Sequence, residues 1–479
     1  MTQAAAQAPG AALLSATTYD RSDCAIGFVH LGCGAFHRAH QAVYIDDYMQ
    51  ATGDLRWGIA AVNLRASEAD SFAQMQQATE GYLLKTTAPD GTQALRLVRA
   101  HCRFSDWVDD AQEAEALLAL PTVHALTITV TESGYYLADD GSLNSADPVI
   151  AAELAGGPPS SVYGYLARAL NRRLAAHGQP LNILCCDNIR ANGRLLKANV
   201  LAYLHHLADP ALLDWVQQAV SFPSSMVDRI TPRATDALIA EVEGLFPAQT
   251  LAPIHGEQFS QWVLEDRFCA PMPDLGRAGV QVVTTVDPFE EAKIRILNGG
   301  HTALCYFGAL AGHSTFDQAI KDPSLRAVFD AYQEQEVLLG LSDIALPFDA
   351  QAYLQQIAAR FSNSAIADQL ERICMDGYSK MQLYIRPTLE ACLRQGVLPR
   401  IGLSCVASWV VYARRAAAGR VAIPYHEPCW PQLEPLLASG REIDLAQHAP
   451  LWGDLPKRDL RFVPSLLTSI EETEKQWPA

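Results

Sequence analysis

A chain of 479 residues, 49% hydrophobic and 19% charged, has the length for two or three domains with large cores, and its balance excludes a disordered polypeptide. A formal net charge of −17 argues against a nucleic-acid partner or an anionic membrane surface, so an anionic substrate would need a local cluster of Arg and Lys. Eleven cysteines contain no CxxC pair, only Cys185-Cys186 are adjacent, and this usage fits reduced thiols in a cytoplasmic protein. The opening MTQAAAQAPGAALLSATTY lacks the positive n-region of a signal peptide. The longest uncharged apolar runs, such as 402–413, are too short to span a bilayer.

The first element is the apolar run 26–31, which meets Gly32-Cys33-Gly34 and then a helical periodicity through Ala39, Val43, Tyr44 and Tyr48. Strand, glycine turn and helix open a dinucleotide-binding unit: the first glycine makes the turn, and the second lets backbone approach a pyrophosphate. His37 stands where GxGxxG has its third glycine, so an ordinary βα turn remains an alternative. His37 and His40 share a helix side, but two imidazoles with no carboxylate or cysteine beside them make a poor metal site, and no metal is expected. A second strand at 57–64 leads into RASEAD, where Glu68 and Asp70 suit an adenine ribose hydroxyl and Arg65 would suit a 2′-phosphate. NAD is the favoured cofactor.

Short strands near 82–86 and 94–98 and an acidic helix follow. The run 123–130 reads as a buried strand ending in TESGYY, and after a helix at 161–176 the run 181–186 reads as another, ending in Asp187 and Asn188. Polar residues at the carboxyl ends of parallel strands are where open α/β sheets bind ligands, although ordinary turns look the same. The segment 221–235 ends an apolar pair with Asp228, Arg229, Thr231 and Pro232, and suits either a site wall or a solvated turn. WVLED and VQVVTTVD are further strand candidates. The alternation predicts a doubly wound, Rossmann-like parallel sheet over 1–286.

From Pro288 helical periodicity dominates, at 325–339, 352–361, 366–375, 383–395 and 401–418, which predicts a mainly α-helical second domain over 287–479. The tail from Ile423 shows little periodicity. The segment 292–312 is apolar yet carries Lys293, Asn298 and His301. At 100° per residue, His301 lies about 80° and Asn298 about 140° from Lys293, so one broad helix side holds all three. Burying an ammonium among Ile294, Ile296, Leu297 and Leu304 disfavours its charge, which is how a protein makes a lysine a general base. A snorkelling lysine at the start of a core helix is the competing account.

The motifs HLGCGAFHRAHQ (30–41), TVTESGYY (129–136), CDNIRANG (186–193), MVDRITP (226–232), EEAKIRILNGGH (290–301) and DGYSK (376–380) together resemble the polyol-specific long-chain dehydrogenases, the mannitol dehydrogenase family. The resemblance implies a zinc-independent oxidation of a linear polyol to a ketose with a nicotinamide cofactor, by a monomer. By position, Lys293 matches the family's catalytic lysine, and Asn188 and Asn298 match the paired asparagines on the reacting oxygen. His301, Arg372 and Lys380 match substrate-chain contacts, Asp228 lies in a wall motif, and Glu290 matches a carboxylate in proton passage to solvent. Gly32, Gly34 and Phe36 fall in the cofactor motif. The resemblance is closest to D-arabinitol dehydrogenases, which form D-xylulose; D-mannitol to D-fructose is the near alternative. A hexuronate reductase using Arg372, Lys380 and Arg386 is a third option, and a non-catalytic nucleotide sensor is a fourth. The active site is expected in the cleft between the two domains.

Overall fold

A computed structural model describes residues 14–477 except 139, 248 and 439. The alanine-rich start expected to lack a signal peptide lies, up to residue 13, outside the described residues. The chain divides into two compact units, one running to Ala88 and resuming over Thr92–Val286, the other comprising Pro89–Gly91 and the chain from Asp287 onward.

The first unit is built on six strands: β1 Ile26–Leu31, β2 Gly58–Asn63, β3 His101–Asp106, β4 Ala125–Ile128, β5 Leu181–Cys185 and β6 Val220–Ser221. They pair in parallel in the order β3-β2-β1-β4-β5-β6, the order of a doubly wound dinucleotide-binding sheet. Strands β2, β4 and β5 are buried along their whole length, which is why they read as continuous apolar runs. The polar strand β3, HCRFSD, carried no such signal, because it is an edge strand with partly solvated residues. A four-stranded sheet of Leu14–Ala16, Gln93–Val98, Tyr82–Thr87 and Ile254–Glu257 flanks this core, and Ser225–Asp228, Gln261–Glu265 and Gln281–Val283 form a third sheet.

The second unit is helical around Gly299–Leu310, Arg400–Ala417 and Phe462–Gln476. Three expected helices are interrupted by π segments: Lys293–Asn298, Gln333–Val337 and Met381–Ile385. The helix expected over 366–375 shrinks to Leu370–Cys374. Among its described residues, the tail beyond Ile423, in contrast, folds into five helices. Its last helix buries Phe462, Leu466, Ser469, Ile470 and Thr473, a helical spacing hidden by the small polar residues within it.

A π turn bonds i to i+5, and its junctions with α-helix leave backbone groups to be satisfied elsewhere. Fully buried Gln333 donates from Nε2 to the Ile296 carbonyl at 2.8 Å. Gly300 makes room, since a Cβ there would overlap that amide. Gln333→Leu keeps the volume and removes one of the two bonds to this carbonyl, the other coming from Gly299 N, so the second unit should lose roughly 0.5–1.5 kcal/mol in urea denaturation; an unchanged midpoint would remove Gln333 as a support of the π turn.

Candidate functional site

The strand order reverses between β1 and β4, and a groove opens beyond their carboxyl ends, lined by Gly32, Gly34, Arg65, Glu68, Phe72 and Thr131 among others. Gly32 has φ +83°, and a Cβ on it would overlap the Thr129 carbonyl. Its own carbonyl accepts from Thr129 Oγ1 at 2.8 Å and faces His30 Nε2 at 3.1 Å. Burial holds His30 down at about 3, so the ring is neutral; donating from Nε2 to Gly32, it accepts at Nδ1 from the Thr127 hydroxyl at 2.7 Å. Gly34 is open: a Cβ there meets nothing nearer than Gly32 O at 4.0 Å. A turn fastened on one side and unfilled on the other is suited to a pyrophosphate.

Glu68 and Arg65 both line the groove on the loop after β2, whereas Asp70, although exposed nearby, is not among the lining residues. Arg65 is partly spoken for, with Nη2 donating to Val130 O at 3.0 Å. Phe36 is half-buried and stacks on His40, with centroids 5.0 Å apart. His40 Nε2 meets Gln261 O at 2.8 Å, whereas His37 Nε2 faces His101 Nε2 at 2.9 Å.

Beyond β5, the Asp187 carboxylate accepts from Val130 N at 2.9 Å, Thr131 N at 3.1 Å and Tyr135 OH at 2.7 Å. Burial outweighs these bonds and raises Asp187 to about 6. The polar end of TVTESGYY is therefore pinned to β5, with Thr131 held at φ 67°. Asn188 follows Asp187 as an exposed residue, and Asp228 is buried at the end of its strand.

In the second unit Glu290 and Lys293 are 6% and 7% exposed. Lys293 begins the π segment and Asn298 ends it. An i to i+5 turn brings these two residues to one side, where an α-helix would hold them about 140° apart. His301 stacks on Phe361 at 4.1 Å and meets the edge of Phe316 at 4.3 Å. Burial, then Arg372, Lys380 and Arg360, hold this imidazole neutral, well below its usual range. Lys380 Nζ donates to Ile373 O at 2.7 Å, and burial lowers its pKa. Arg372 is mostly exposed and bound to Asp368, Nε to Oδ1 at 2.9 Å.

His30, Thr129 and Gln333 were not singled out in the sequence. Of these only His30 left a signal, an imidazole within an apolar strand; the others act through contacts with distant segments.

The strand order and the glycine turn at its reversal define a dinucleotide-binding Rossmann domain, here followed by a helical domain. Residues 26–277 match the mannitol dehydrogenase Rossmann domain and residues 285–472 the mannitol dehydrogenase C-terminal domain, so the chain belongs to the mannitol dehydrogenase family. It is 34% identical over 469 residues to mannitol 2-dehydrogenase of Pyrenophora tritici-repentis, covering 97% of this chain and 82% of the relative. It is 35% identical over 401 residues to D-arabinitol 4-dehydrogenase of Klebsiella pneumoniae, covering 84% and 87%. The ternary complex of Pseudomonas fluorescens mannitol 2-dehydrogenase with NAD and D-mannitol superposes with a TM-score of 0.85 at 31% identity, covering 97% of this chain and 95% of that one.

Gly32→Ala forces an alanine into φ +83° against the Thr129 carbonyl, a strain of about 1–3 kcal/mol. Its NADH affinity, read by fluorescence titration, should fall at least tenfold, and full affinity in the variant would show that this turn does not carry the dinucleotide.

Proposed function

We propose that this NAD-dependent polyol dehydrogenase oxidises D-arabinitol to D-xylulose, with Lys293 as general base and no metal in the chemical step. The observation that carries the mechanism is a buried lysine at the start of a π turn with Asn298 at its end. The motifs TVTESGYY and MVDRITPR and the similarity to D-arabinitol 4-dehydrogenase support the pentitol. D-Mannitol is the second reading, favoured by the likeness to the mannitol 2-dehydrogenase complex along 97% of the chain.

The fastened turn at Gly32, the open space at Gly34 and the exposed Glu68 fit NAD: Gly32 and Gly34 would hold the pyrophosphate and Glu68 the adenine ribose. When bound, NAD supplies the hydride acceptor. Burial disfavours the charged ammonium, so neutral Lys293 takes the hydroxyl proton as the carbinol C–H bond breaks. Asn188 and Asn298 are assigned as the amide donors to the developing alkoxide, an oxyanion-hole role. Glu290, three residues before Lys293 and likewise buried, is assigned the onward proton transfer to solvent. His301, held neutral, is assigned to a substrate hydroxyl, with Lys380 as a donor along the chain. Ketose reduction reverses each step, with protonated Lys293 as the acid.

Lys293→Ala should lower turnover by about 10²–10⁴-fold or more while leaving NADH binding intact. In the wild type, polyol oxidation should decline as pH falls through the lysine pKa, because the base is then protonated, and the variant should lose that limb. Turnover and a pH profile matching wild type would sink the mechanism.

Initial rates with D-arabinitol, D-mannitol, D-sorbitol, xylitol and D-fructuronate, each with NAD(H) and NADP(H), should give the highest kcat/KM for D-arabinitol with NAD. A higher value for D-mannitol replaces the pentitol by the hexitol, and activity confined to D-fructuronate replaces both. A strong chelator should leave the rate undiminished.

A further inference from the structure

We propose that Cys33, His37 and His101 form a binding site for Zn²⁺ or a similar thiophilic cation beneath the glycine turn, and that its occupation opposes dinucleotide binding. The sulfur and one nitrogen of each ring all lie within 4.8 Å of one another. His37 Nε2 stands 2.9 Å from His101 Nε2, and Cys33 Sγ stands 3.8 Å from the same His101 nitrogen. Tetrahedral zinc, with Zn–N near 2.0–2.1 Å and Zn–S near 2.3 Å, sets such atoms about 3.3–3.6 Å apart. The His37–His101 and Cys33–His101 pairs are within a few tenths of an ångström of these separations, and the Cys33 side chain would close the third. Three protein ligands leave a fourth position for water.

The surroundings favour a soft cation. Both rings are buried, at 0% and 1% exposure, and burial holds both imidazoles neutral, the form that ligates metal. Without an ion, the two Nε2 atoms share one hydrogen, while both Nδ1 atoms are buried with no partner among the described residues. The Met75 thioether lies 3.5 Å from Cys33 Sγ, adding a second soft sulfur. Burial pushes the Cys33 thiol up to about 12, so ligation displaces its proton into solvent. Half-buried Arg38 works both ways, opposing the cation and favouring the thiolate.

Cys33 lines the groove between Gly32 and Gly34, which gives the ion an entry path. Bound there, the ion would fix the turn that the pyrophosphate must approach. This effect on the dinucleotide rests on the cofactor reading above, whereas ion binding does not.

The test begins with full-length protein freed of metal by a chelator. Zn²⁺ calorimetry should give one ion per chain, and Co²⁺ should give the absorption of thiolate-to-metal charge transfer. Cys33→Ser and His101→Gln should each weaken Zn²⁺ at least tenfold. In wild type, Zn²⁺ should protect Cys33 from iodoacetamide in peptide maps, a readout that needs no variant to fold. NADH affinity, measured first without metal, should weaken at least threefold with Zn²⁺ in wild type. Zn²⁺ that binds equally well to Cys33→Ser, or leaves Cys33 unprotected, overturns the site; unchanged NADH affinity in the Zn²⁺-loaded protein overturns the antagonism.

Discussion

The bond from Gln333 to the Ile296 carbonyl is the constraint on which the π turn of the second unit, and with it the proposed role of Lys293, rests. A π segment is less favourable than continuous α-helix, and it persists only where the surroundings satisfy the groups it displaces. Here the support comes from two sides. Gln333 takes the Ile296 carbonyl, while Arg295, paired with Glu291 at 2.9 Å, donates from Nη1 to Gly340 O at 2.9 Å. Two glycines allow the approach: a Cβ on Gly300 would overlap Gln333, and one on Gly299 would press the Tyr384 carbonyl at 3.1 Å. The third π segment, Met381–Ile385, contains that tyrosine, and Lys380 immediately precedes it. Local helical irregularity is thus shared among three segments that support one another, and it sets Lys293 and Asn298 at the two ends of one π segment.

The first unit solves a different problem, the absence of the third glycine from its fingerprint. That glycine ordinarily permits close packing of helix on strand. Here His37 occupies the position and lies flat on His30 of β1, ring centroids 3.2 Å apart. Stacked imidazoles accomplish the close contact that a missing side chain otherwise allows. The helix breaks soon afterwards: Ala35–Ala39 ends at His40, whose φ of −123° and ψ of −91° are not helical, and Gln41–Thr52 begins anew. The same His30 reaches Gly32 O, so the ring that replaces the glycine's packing also steadies the turn.

Much of this was legible in the sequence, for physical reasons that differ by element. Buried parallel strands such as β2 and β5 announce themselves as apolar runs, and the glycine turn by its position after one. The edge strand β3 did not, since solvent on one side permits Arg103 and polar neighbours. Helical spacing found Lys293, Asn298 and His301 but assigned an ordinary α-helix, because a π turn depends on partners such as Gln333 some 37 residues away. The pairing of Arg372 with Asp368 follows the i,i+4 spacing that the sequence already shows. Cys33 and His37 carry no metal signature in the sequence, because the third group, His101, comes from β3, more than sixty residues away.

Charge also bears on what the protein can accept. A polyol is neutral, so it approaches a chain of net charge −17 without electrostatic penalty, whereas a hexuronate needs cations to offset that field. The candidate cations are already engaged: Arg372 with Asp368, Arg386 with Glu390 at 3.4 Å, and Lys380 with the Ile373 carbonyl. An ammonium has three donors, so its bond to Ile373 does not prevent Lys380 from meeting a hydroxyl. Lys380 is half-buried, and the desolvation that lowers its pKa makes it a weaker counter-ion than a solvated arginine. His301, neutral between Phe316 and Phe361, can exchange hydrogen bonds with an alcohol but offers no charge to a carboxylate. These features favour discrimination by hydroxyl pattern, in which an unpaired polar group in the site penalises the wrong polyol.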